Sequence, residues 1–162
     1  MSKIFIEVIK KHTLKAEIDH DYFLIAIKSV LEDYRLAYYL NKKFNLQFKK
    51  EDFSLNFNHR AGNFSVFGFK SPITNSYWSL ILNQQTVEQK VSEQTVSLFE
   101  EITNTYILIP EEKKVDYFLK IEHQYSPEEK EDFIKSINTI HRVITSYEVN
   151  PNDLKSKDLL IF

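Results

Sequence analysis

The stretch Leu108-Ile-Pro-Glu-Glu-Lys-Lys-Val-Asp-Tyr-Phe-Leu-Lys-Ile121 decides how the chain is read. Two apolar runs flank a polar break, Pro110 to Lys114. Proline lacks the ladder donor and stops a strand. Alternation then resumes: Val115, Tyr117, Leu119 and Ile121 fall on one face, with Asp116 on the other. These features predict an antiparallel hairpin, with Tyr106 to Ile109 paired to Val115 to Ile121 and Glu111 to Lys114 as the solvated connection. The break then works as a register device, setting which residues face the core.

Outward from this stretch, strands and helices alternate unevenly. Residues 4–18 are ambiguous between strand and arm, and Asp19-His20-Asp21 reads as a turn. Tyr22 to Ile27, YFLIAI, is continuously apolar, as in a strand covered on both faces. Ser29-Val30-Leu31-Glu32 matches a capping box and predicts a helix from Ser29 to about Phe44. Leu36, Leu40 and Phe44 form one stripe, while Leu31, Tyr34 and Tyr38 form another. Lys42 and Lys43 in the last turn suit the helix dipole.

Aromatic-rich strands follow at Phe53–Phe57, Asn63–Phe69 and Tyr77–Leu82, separated by turn-like segments. Residues 83–104 are polar and read mostly as irregular. Ser126-Pro127-Glu128-Glu129 opens a second helix, with serine at the cap, proline at N1 and glutamate at N3. Its stripe of Phe133, Ile137, Ile140 and Ile144 predicts a helix running to about Tyr147.

The pattern predicts an α+β fold. An antiparallel meander sheet of about five to six strands packs against a helix in the N-terminal half and a long C-terminal helix. Residues 1–149 form a single domain and residues 150–162 a C-terminal tail. With 162 residues, the chain can bury about 70% of its unfolded surface. The 13 Phe, 9 Tyr and single Trp suit sheet–helix packing.

Ile109-Pro110-Glu111, three residues, then Val115-Asp116-Tyr117 resembles the namesake motif of the bacterial IPExxxVDY family. Asp33 to Asn41, DYRLAYYLN, is similar to the helix that follows that family's first strand. The resemblance implies a bacterial cytoplasmic protein. It implies no reaction, cofactor or catalytic residue, because the family has none assigned.

Composition narrows the chemistry. The chain has no Cys, which excludes thiolate nucleophiles and Cys-based metal sites within it. Only Gly62 and Gly68 are present, which argues against a glycine-rich phosphate loop. The first residues show neither the apolar run nor the small-residue cleavage site of a signal peptide. No apolar stretch reaches about 18 residues, so no membrane span is expected.

Glu111, Glu112 and Asp116 are close in sequence, but a catalytic pair needs a shared cleft, and acids around one turn are more often solvated. His12, His20, His59, His123 and His141 show no HxH or HExxH spacing, so no metal site is assigned; His141 reads as a helix-surface histidine. No G-x-S-x-G elbow occurs. No catalytic residue and no cofactor are assigned.

The segment Asn41 to Lys50 places Lys42, Lys43, Lys49 and Lys50 around Phe44 and Phe48, with His59 and Arg60 further on. Lysines with aromatics can bind nucleic acid. A net charge of −2 favours packed phenylalanines and solvated lysines, so nucleic acid is disfavoured as a partner. Leu159, Leu160, Ile161 and Phe162 are the partner-binding candidate: exposed, they could add a strand to another chain, or they could fold back on their own sheet.

Pro110, Glu111, Asp116 and Tyr117 are the candidate binding or anchoring residues. Their acids could hold turn amides or pair with Arg35, the only arginine of the first helix. The expectation is a non-enzymatic binding or adaptor domain that meets a protein partner or a second copy of itself. The alternative is a small-molecule site, possibly an enzyme, in a pocket between the sheet and the C-terminal helix. RNA binding is the weaker third reading.

Overall fold

The structure is a computed structural model, and it describes residues 21–55, 63–89 and 102–162. Expectations for residues 4–18, and for His12, His20, His59, Arg60 and Gly62, lie outside the described residues.

The fold is α+β. Strand β1 (Phe23–Ser29) leads into helix α1 (Asp33–Phe44). Strands β2 (Lys49–Leu55), β3 (Phe64–Lys70) and β4 (Tyr77–Leu82) follow, then a separate pair, β5 (Gln84–Gln89) and β6 (Ile102–Ile107). Strand β7 (Tyr117–Ile121), helix α2 (Pro127–Asn138) and strand β8 (Val143–Val149) complete the regular elements. The main sheet has six antiparallel strands in the order β2-β3-β4-β7-β1-β8.

Only β2-β3-β4 is a meander. The expected hairpin is not formed: β6 pairs with β5, while β7 pairs with β1 and β4. Pro110 does stop the preceding segment, but it opens a 3-10 turn, Pro110–Glu112, instead of a strand connection. The chain therefore crosses from the small sheet to the centre of the large one within the motif.

β1 occupies an interior position and is apolar throughout because both of its faces are covered, as its sequence predicts. Phe23, Ile25 and Ile27 face the helices, with Trp78, Leu80, Leu119 and Ile121 beside them. Leu36 and Leu40 of α1 and Ile137 of α2 close this layer. Leu24, Ala26, Val66, Ile81 and Phe118 face the opposite way. No α-helix covers that second face among the described residues. Leu108, Ile109 and Val115 from the motif, with Leu154 and Leu160 from the C-terminal segment, cover it instead.

The two helix starts differ. Ser126 Oγ accepts from the Glu129 amide, and Glu129 accepts from the Ser126 amide, which is the predicted capping box. Ser29 does not cap α1. It is the last residue of β1, and its hydroxyl accepts from the Leu31 amide and donates to the Arg142 carbonyl. The helix starts later, at Asp33.

The C-terminal helix ends at Asn138, short of the predicted Tyr147. Arg142 takes a left-handed conformation (φ 71°), and the β-branched run Val143-Ile144-Thr145 continues as strand β8. Its outer edge is partly covered by Asn138, whose side chain accepts from the Ser146 amide (2.7 Å) and donates to its carbonyl (3.4 Å). A carboxamide thus stands where a neighbouring strand would.

Candidate functional site: the motif loop and an aromatic groove

The motif residues work on their own chain. Ile109 and Val115 are buried in the second core layer. Between them the loop is pinned by Asn83, itself fully buried. The Asn83 amide nitrogen Nδ2 donates to the carbonyls of Glu112 (3.0 Å) and Val115 (2.8 Å), and Oδ1 accepts from the Ile109 amide (2.8 Å). Its backbone N–H donates to Asp116 O, and its carbonyl accepts from the Leu108 amide. One side chain thereby satisfies inward-facing backbone groups of a turn whose flanks, Ile109 and Val115, are buried.

Asp116 accepts from Lys28 Nζ (2.7 Å) and from the Ser29 amide (2.8 Å), at the register shift that ends β1. Tyr117 is buried, and its hydroxyl donates to the Leu31 carbonyl (2.6 Å) in the link from β1 to α1. Burial first, then the nearby Asp33, Asp116 and Glu32 carboxylates, pushes the Tyr117 phenol well above its usual range. It therefore stays a neutral donor.

Glu111 accepts from the Ser156 amide (2.8 Å) in the C-terminal segment. Partial burial raises its carboxyl, but hydrogen bonds from its own amide and from Ser156 outweigh this and hold it below the ordinary range. Glu112 accepts from the Tyr147 hydroxyl (2.7 Å), and burial together with that carboxylate pushes Tyr147 up to about 12.

The three acids therefore hold three different segments. Arg35 meets neither Glu111 nor Asp116. It lies exposed on α1 beside Glu32 (3.5 Å). Pro110 is exposed at the head of its 3-10 turn.

The C-terminal segment folds back on its own sheet. Pro151, Leu154 and Leu160 are buried, while Leu159 packs partly against the same layer. Ile161 is half-buried. The Phe162 ring lies 5.6 Å from that of Phe53 and 5.2 Å from Lys120 Nζ. Lys120 is itself buried, paired with Glu122 (2.9 Å) and set 4.9 Å from the Tyr22 ring. The four terminal residues are thus not a free apolar tail.

Gly68 has a spatial role that its backbone does not announce. A Cβ there would lie 2.0 Å from Glu51 Oε1 and 2.2 Å from the Tyr77 hydroxyl, which donates to that same carboxylate (2.6 Å).

On the helix side, at the far end of the sheet, lies an open groove. Its volume is about 710 Å³, between the end of α1, the β3–β4 turn and the approach to α2. Phe44, Phe69, Trp78, Tyr125 and Phe133 form its floor and walls. Phe133 is the hub: its ring lies 5.3 Å from Phe44, 5.6 Å from Trp78 and 4.9 Å from Tyr125. Ile73, 93% exposed, stands on the turn at the rim.

The polar side chains lining the groove are those of Asn45, Gln47, Lys70, Ser71 and Thr74, with the Tyr125 hydroxyl and the Trp78 indole N–H, and no carboxylate or histidine is among them. Trp78 Nε1 is satisfied by Ser76 Oγ (3.0 Å). The alternative sequence reading places a pocket between the sheet and the C-terminal helix, and this groove lies there. Its lining residues are not legible in the sequence, because the rings come from separate elements with no shared spacing.

The basic segment divides. Phe44 enters the groove and Phe48 is buried, while Lys42, Lys43, Lys49 and Lys50 are exposed. Among the described residues, no group of three or more His, Asp or Glu is placed to hold a metal ion, and no helix is long and apolar enough to cross a membrane. No family model matches the chain, and neither a curated protein nor a solved structure matches it.

Proposed function

We propose that the chain is a bacterial cytoplasmic protein of the IPExxxVDY type and a non-enzymatic binding domain that acts through protein–protein contact. The aromatic groove carries this reading. It offers a large apolar surface, an exposed isoleucine at the rim, and no carboxylate or histidine to move a proton. Aromatic floors that desolvate one anchoring side chain are the usual centres of protein interfaces. The groove would take an apolar or aromatic side chain of a partner segment, with Lys70 at the margin for a carboxylate or backbone carbonyl. The second reading, a small-molecule site between sheet and C-terminal helix, is favoured by the position of Tyr125 and Phe133 on the approach and body of α2. It lacks the converging polar groups that fix a small ligand.

Trp78 is the only tryptophan, so its fluorescence reports on the groove. Peptides selected from a displayed random library are expected to carry an apolar anchor and to shift Trp78 emission on titration. Ile73→Asp should weaken such a peptide by roughly tenfold or more, because burying an isoleucine contributes about 1.5–3 kcal/mol. The same change should leave folding stability within about 0.5 kcal/mol, since the side chain is solvated. A selection that yields no groove-binding peptide, while small aromatic compounds shift Trp78, would replace this reading with the second. Peptide affinity insensitive to Ile73→Asp would place the contact elsewhere.

A further inference from the structure

The outer face of α1 is unusual for a solvated helix. Tyr34, Tyr38 and Tyr39 are all exposed there. The i, i+4 spacing lines up Tyr34, Tyr38 and Lys42 in one row and Arg35, Tyr39 and Lys43 in the next. Tyr38 and Tyr39 stack edge to face at 5.6 Å. The Arg35 guanidinium sits 5.9 Å from the Tyr34 ring, and Lys42 Nζ sits 5.0 Å from that of Tyr38. Tyrosine and arginine are the residues most enriched at protein interfaces, while lysines at a rim set partner charge.

The neighbouring helix presents the opposite charge. Glu128, Glu131 and Asp132 are exposed on α2, with Lys135 paired to Glu131 (2.6 Å). The two helices lie side by side on one sheet face and run antiparallel. Phe44, which ends α1, packs on Phe133 and shares a small groove with Glu129 and Asp132 at the start of α2. At the other end, Ser29 and Val30, just before α1, bond to the Arg142 carbonyl, just after α2. The cationic end of α1 and the acidic end of α2 are therefore level with each other.

That arrangement is self-complementary. A two-fold axis parallel to the helices, lying in the face between them, sets α1 of one molecule on α2 of another. Lys42 and Lys43 then meet the partner copy's acidic turn, and the symmetry repeats the contact. The tyrosines fill the middle of the layer. We infer that a second copy of this chain docks here, forming a symmetric four-helix layer between two sheets. Each helix of 12 residues is about 18 Å long. A two-helix face of that length is at the small end of specific interfaces, so the dimer is reversible and weakened by salt. The charged end of this face borders the aromatic groove, with Phe44 and Phe133 common to both, while Ile73 lies apart on the β3–β4 turn, so Ile73→Asp and charge exchange test the two proposals separately.

The test is charge exchange, read by light scattering on the full chain. The wild type is expected to approach twice the mass of one chain at high protein concentration and to return to one chain mass in high salt. Lys42→Glu/Lys43→Glu makes both helix faces acidic, and Glu131→Lys/Asp132→Lys makes both basic. Each variant alone is expected to stay at a single chain mass, because like charges now face each other. Mixed in equal amounts, they should recover the double mass, since both contacts of a mixed dimer are again complementary. All four positions are exposed, and melting curves check that each variant is folded. A wild type of single chain mass at every concentration would overturn the inference. So would charge-reversed variants that still dimerise alone, or a mixture of folded variants that does not associate.

Discussion

Asn83→Ala is expected to destabilise the fold by about 3–5 kcal/mol, the largest loss from any single polar residue here. The substitution removes the Asn83 donor from the Val115 carbonyl and its acceptor from the Ile109 amide, while the Glu112 carbonyl keeps its bond from the Val115 amide, all in a turn whose flanking side chains are buried. A buried polar group left without a partner costs about 1–3 kcal/mol. Partial entry of water lowers the sum. Asn83→Asp tests the same point differently: it keeps the acceptor for Ile109 but sets a carboxylate against two carbonyl oxygens. Denaturant unfolding followed through Trp78 measures both. A loss under about 1 kcal/mol for each would mean that Asn83 does not pin the loop.

Leu160→Ala is expected to cost about 2–4 kcal/mol, the range for a large-to-small change at a fully buried site. The value separates two views of the C-terminal segment. As part of the core, Leu160 has packing to lose, and thermal unfolding will show it. As a segment that leaves the sheet to bind a partner, it would show little stability change and a loss of association instead. Phe162 is the internal control: it is 45% exposed, and its truncation should cost less than about 1.5 kcal/mol.

What the sequence disclosed follows from how local each signal is. YFLIAI announces a strand covered on both faces, and Ser126-Pro127-Glu128-Glu129 announces a helix start, because each depends on a few neighbouring residues. The second helix's end is hidden because Ile140 and Ile144 continue its stripe, while the left-handed Arg142 that turns the chain into β8 carries no glycine signature. The hairpin around Pro110 was misread for a different reason. Tyr106 and Ile107 do lie in a strand, but its partner is β5, in the segment read as irregular. Pairing between distant segments leaves no trace in a local pattern. Asn83 shows the same limit more sharply: its many bonds cross to residues well ahead in the chain, so nothing beside it marks it. The groove's place between sheet and C-terminal helix is an expectation the sequence supports, but its lining is not, because rings from separate elements share no spacing.

The Ile109–Tyr117 motif is a clamp that holds the chain's own segments together, and the proposed binding surface lies elsewhere. Asp116→Asn tests it most directly, because it keeps shape and removes the charge that Lys28 and the Ser29 amide share. The pair with Lys28 is partly exposed and contributes little, so most of the effect falls on the amide bond. The unfolding midpoint and Trp78-monitored peptide affinity are measured on the same folded sample. A stability loss of about 1–2 kcal/mol is expected, with peptide affinity unchanged to within about twofold. Unchanged stability together with lost binding would contradict it and move the recognition surface onto the motif.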